Sequence, residues 1–202
     1  TGPRIALRDE PYAPAPRVGE VDDPKLHRRI PDRKSVKLMF PRVQLGVVAA
    51  LEAWTADGGL PEGCRAPPPE RRAMYVGCGL TVDEDWTFRE AIDASVAGGE
   101  GFSMRAFAEV GQPLLNPLWL VKGLSNNVLA FVSKFEEITG PNDNFMGGAA
   151  GGLQALGTAA GAIAADRADR ALAGASDSVV TVDDILAFAA TGAIEAGLVP
   201  SQ

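Results

Sequence analysis

The sequence predicts an α/β fold, and three observations predict it. Short apolar runs of strand length alternate with longer stretches of helical period. Turns rich in glycine and proline separate them. The composition, 46% hydrophobic and 22% charged, supports a packed core and excludes a disordered chain. At 202 residues with no strong linker, one domain is expected.

The elements follow in order. Residues 1–34 are rich in Pro, Arg and Asp, and Pro11, Pro14 and Pro16 argue against a regular element. From Ser35 to Trp54, apolar residues recur at three- and four-residue steps (Val36, Met39, Phe40, Val43, Val47, Leu51, Trp54), which predicts a helix with one apolar face. Pro41 would sit in its first turns or kink it, and Gly58-Gly59 would end it. Ala73 to Leu80 reads as a buried strand running into a glycine turn. Asp83 to Val96 reads as a helix whose acidic start faces the positive end of its dipole. A loop with a short helix spans 97–113. A helix is predicted from Asn116 to Glu137, stopped by Thr139-Gly140-Pro141-Asn142. Asp143 to Met146 is a short strand, a helix runs from about Gly152 to Asp166, and Arg170 to Ser176 is another strand. Val182 to Ala196 reads as a last helix, with Thr181 as its cap.

Several function classes fall away early. The formal charge of −7 and dispersed basic residues speak against nucleic acid; the short cluster Arg28, Arg29, Arg33, Lys34 reads as a solvated turn. Cys64 and Cys78 allow one disulfide but match no metal spacing, and a lone His27 between Lys25 and Arg28 is too little for a zinc site or a catalytic triad. No metal and no cofactor is expected. No signal peptide is read at the N-terminus, so a cytoplasmic location is expected.

The uncharged segment Phe145 to Ala165 admits three readings. A membrane span is one, with Gly147 and Gly151 at helix-pairing spacing, but Leu153, Leu156 and Ile163 are the only large aliphatics after Gly147. A phosphate cradle is another, but neither G-x-x-x-x-G-K-[ST] nor G-x-G-x-x-G occurs here. The third is a strand-to-helix elbow, whose small residues let a core helix approach neighbouring backbone closely.

The last reading gains from a resemblance. Thr139-Gly140-Pro141-Asn142, the strand at Phe145-Met146, and Ala149 to Leu156 resemble the centre of β-ketoacyl synthases, which read T-G-P-N, a short strand, then A-C-x-S-G-L-Q-A-L or close variants. Asn116-Pro117-Leu118-Trp119 with Asn126 resembles their N-P-F-F…N segment, and Arg167 to Ala175 resembles their G-x-A-D-x-x-L-A-G-G strand. Tyr75 to Leu80 resembles their V-G-T-G-L strand, Arg29 to Trp54 fits their first long helix, and Phe188 to Ile194 resembles their F-x-x-x-x-A-L segment. The resemblance covers roughly residues 28–196. It implies the N-terminal half of a thiolase-like fold over 28–202, layered α/β/α around a buried central helix, with residues 1–27 as an arm.

Two departures shape the expected function. Gly152 to Leu156 anchor the comparison and put Ala149 where the family has its acyl-accepting cysteine; a methyl group cannot attack a thioester, so no catalytic residue is expected. Cys78 stands where the family has threonine and reads as a packing residue. The family also continues into a second half carrying two histidines and a lysine, so a lone half would expose apolar surface on its sheet and on the helix at 150–165. An obligate homo- or hetero-oligomer follows, with a ketosynthase or a complementary half as partner. By resemblance, Trp119, Asn126, Phe145, Met146 and Ala149 lie at that interface or at the acyl pocket. The resulting expectation is a non-catalytic, chain-length-factor-like subunit of fatty-acid or polyketide biosynthesis. The alternatives are a malonyl-thioester decarboxylase acting without a covalent intermediate, and a binding module for acyl carrier protein using Arg28, Arg29, Arg33 and Lys34.

Overall fold

The computed structural model describes residues 21, 25–56, 65–79, 86–96, 101–178 and 191. All but Val21, Ser178 and Thr191 belong to one compact unit, Pro24–Asp177. The predicted helix at 182–196, apart from Thr191, the acidic cluster at 83–85, Cys64 and Gly58-Gly59 lie outside the described residues.

Three parallel strands form the sheet: β1 (Arg72–Gly77), β2 (Asn142–Phe145) and β3 (Arg170–Ala175), in the order β2-β1-β3. Met74 pairs with Asn142 on one side, and Arg72 pairs with Arg170 on the other. Being central and parallel, β1 must be apolar on both faces, and Ala73, Met74, Tyr75 and Val76 are all buried. Its alternating side chains divide the interior in two. Met74 and Val76 join Val43, Val47, Val128 and Val132. Ala73 and Tyr75 join Ala155, Ala159 and Ala162.

The first layer is helices α1 (Pro41–Thr55) and α5 (Asn127–Phe135), and the opposite layer is α6 (Gly151–Ala164). Helix α1 starts at Pro41 rather than Ser35. Proline drives the preceding residue out of the helical region, and Phe40 is extended, at φ −66°, ψ 160°. Ser35–Leu38 is a separate 3-10 turn. Pro41 itself fits the first helical position, where no N–H is needed.

Helix α2 (Trp86–Val96) has the predicted C-terminal boundary. Residues 101–115 hold α3 (Met104–Ala106), a π turn at Phe107–Gly111 and a 3-10 turn at Gln112–Leu114. The single helix predicted over 116–137 is two: α4 (Trp119–Lys122) and α5, parted after Gly123. The buried Asn127 side chain explains the break. Its amide donates to the carbonyls of Val121 and Lys122, at 2.9 and 3.0 Å, and so caps the end of α4.

The Thr139–Asn142 turn lies on the start of β1. Gly140 N–H donates to Arg72 O at 3.1 Å, and Met74 N–H donates to Pro141 O at 3.1 Å. Any side chain at Gly140 would collide with the carbonyl oxygens of Arg72 and Glu70.

Helix α6 is buried on one side only. Gly151, Ala155, Ala159 and Ala162 face the sheet, while Leu153, Leu156 and Ile163 are 74%, 53% and 43% exposed. Among the described residues the helix is covered along its sheet face, and its outer face is apolar and exposed.

Candidate functional site at the strand-to-helix elbow

The elbow joins β2 to α6 at the C-terminal edge of the sheet, where parallel α/β sheets bind their ligands. Met146 and Gly147 lead from the strand into a 3-10 turn at Gly148–Ala150, and α6 begins at Gly151. Gly148 takes φ +53°, in the left-handed region that glycine tolerates best. Ala150 N–H donates to Gly147 O at 3.1 Å and closes the turn, and Cys78 N–H donates to Phe145 O at 2.9 Å, tying the elbow to the end of β1.

Ala149 is exposed on this turn. Its methyl carries neither a lone pair nor an ionisable proton, so the residue at the apex can neither attack a carbonyl nor shuttle a proton. Phe145 is half-buried against Ala73 and Tyr75, whereas Met146 is 54% exposed. Trp119 is half-buried and packs on Phe88 of α2, with ring centroids 5.5 Å apart and the planes tilted by 45°. Asn126 is exposed, and the neighbouring Asn127 holds the buried position. The chain therefore gathers Phe145, Met146 and Ala149 at the elbow, while Trp119 packs on the α2 side.

Three polar residues complete the elbow's surroundings. The Asn144 side-chain amide points at the Cys78 sulfur (3.5 Å) and at Ser125 Oγ (3.3 Å), while its buried Oδ1 has no partner among the described residues. Cys78 is half-buried with a free thiol. Asn144 and Ser125 were not singled out from the sequence; the signal available was a polar Asn-Asp-Asn run in a strand, where such residues are disfavoured. The adjoining cleft, lined by Arg42, Cys78, Gly79, Ser125 and Ser176, encloses about 20 Å³, enough for a water and not for an acyl chain.

Among the described residues no three His, Cys, Asp or Glu side chains cluster as metal ligands, and no helix is long and apolar enough to cross a membrane. His27 is exposed on the 3-10 turn Leu26–Arg29. Around it Arg28, Arg29, Arg33, Lys34 and Lys37 are exposed, and Arg29 pairs with Glu52.

A three-layer half-sheet with a glycine-rich elbow into an apolar helix defines a thiolase-like α/β domain. The model of the β-ketoacyl synthase N-terminal domain matches residues 22–198, and the chain belongs to that family. Among curated proteins none matches it significantly. Solved structures share the fold, among them two ketosynthase assemblies. The first, "AntDE:AntF (apo): type II PKS acyl-carrier protein in complex with its ketosynthase bound to the hexaketide", superposes with a TM-score of 0.60 at 19% identity, over 80% of this chain and 42% of that one. "The ishigamide ketosynthase/chain length factor" gives 0.55 at 20% identity, over 82% of this chain and 36% of that one. The chain thus spans less than half the length of either.

Proposed function

We propose that this chain is a non-catalytic ketosynthase-like subunit. It pairs with a catalytic ketosynthase, or with a complementary C-terminal half, in polyketide or fatty-acid biosynthesis and helps to shape the acyl pocket. The observation that carries this reading is Ala149 at the elbow apex. Acyl loading requires a thiolate to attack the thioester carbonyl and expel the carrier thiol, and alanine offers no such atom. The exposed outer face of α6 supports the need for a partner. Trp119, Asn126, Phe145, Met146 and Ala149 are assigned to that contact or to the acyl pocket. The cytoplasm is its assigned location.

The test is co-expression with the ketosynthase encoded nearest to its gene. Co-purification at a defined stoichiometry is expected, with product length changing when the chain is omitted. A stable monomer that leaves product length unchanged would overturn the proposal. Labelled acyl thioester should leave residue 149 unmodified, with peptide mass mapping of Cys64 and Cys78 as the internal control.

One observation favours a second, compatible role in docking acyl carrier protein. Arg28, Arg29, Arg33 and Lys34 are each exposed, with Arg29 paired to Glu52, on a chain of net charge −7, and a cationic stretch suits an acidic partner. Capture by immobilised carrier protein that survives Arg28→Glu with Arg33→Glu would refute this role.

A further inference from the structure

We draw no further inference here: the strongest candidate, the exposed outer face of α6 formed by Leu153, Leu156 and Ile163, carries nothing beyond the pairing already proposed, because nothing in the structure shows what covers it.

Discussion

Gly77, the last residue of β1, and Gly151, the first of α6, meet backbone to backbone. A methyl group on Gly77 would overlap the backbone of Gly151 and the amide nitrogen of Gly152. The strand and the helix are therefore held at a separation only glycine permits. Gly77→Ala should cost about 2 kcal/mol, or roughly 4–8 °C in Tm. Gly157→Ala is the matched control, since nothing lies within 4 Å of its added carbon. It should stabilise by about 0.5–1 kcal/mol through helix propensity. Thermal unfolding followed by circular dichroism measures both, and equal effects would refute the close-approach argument.

Arg71 fastens the end of α6 to the start of β1. Its guanidinium donates to Asp169 at 3.1 Å, and to the carbonyl and carboxylate of Asp166 at 2.6 Å each. Asp166 is held at φ +54°, a conformation uncommon outside glycine. The Arg71 hydrogen bond holds the Asp169 carboxyl below its ordinary range. Asp32 lies well below that range too, because the Ser35 hydroxyl and the Lys134 ammonium both donate to it, at 2.6 and 3.0 Å.

Acid should therefore remove these contributions. Both carboxyls bind protons less readily folded than unfolded, so the stability they supply is complete above about pH 5 and is lost as pH falls through the depressed folded values. Arg71→Gln and Asp32→Asn should each lower Tm at pH 7. The gap to the parent chain should narrow progressively from about pH 5 down to pH 2. A gap constant over that range would show that neither carboxyl acts as described. Because these groups are at the surface, added salt should narrow the gap as well.

On the other side of the sheet, Arg170 of β3 lies 3.7 Å from the centre of the Trp54 ring and donates to the Trp54 carbonyl at 2.6 Å. Stacking and bond together pin the last turn of α1. Arg170→Ala should cost about 2 kcal/mol, and Arg170→Lys should recover only part of it, since an ammonium cannot stack as a plane. Urea unfolding monitored by tryptophan fluorescence gives the comparison; full recovery by lysine would exclude the planar contact.

The outer face of α6 provides the test of pairing. Leu153→Ser with Leu156→Ser should change the stability of the chain alone by no more than about 0.5 kcal/mol, because both side chains are exposed. In the co-expressed assembly the same pair should weaken association at least tenfold, since each buried leucine contributes about 1.5–3 kcal/mol. Affinity measured on the purified assembly decides this, and an unchanged value would remove α6 from the contact.

Strand β1, the elbow and β3 were legible in the sequence because apolar strands and glycine turns leave local signatures. Helix starts and breaks were less so. Val36 and Met39 fit the helical period of α1, yet Pro41 forces Phe40 to be extended, and a local steric rule outweighs the pattern. The division of α4 from α5 depends on Asn127 turning its amide back onto Val121 and Lys122, a choice no periodicity reveals. The Asn144–Cys78–Ser125 group was hidden for another reason. It is assembled from three separate segments: the pairing of β1 with β2 brings Asn144 to Cys78, and the turn between α4 and α5 supplies Ser125.

Arg71 and Asp169 are 98 positions apart, and β1 gains its β3 neighbour only beyond that point. At about 5–20 residues per second, a ribosome needs roughly 5–20 s to make the intervening chain. For most of that interval the most apolar strand of the sheet has neither neighbour, because β2 is made only from Asn142 onward. Yield of this polypeptide should therefore respond to translation speed and to chaperones that shield nascent strands, whatever the stability of the finished fold.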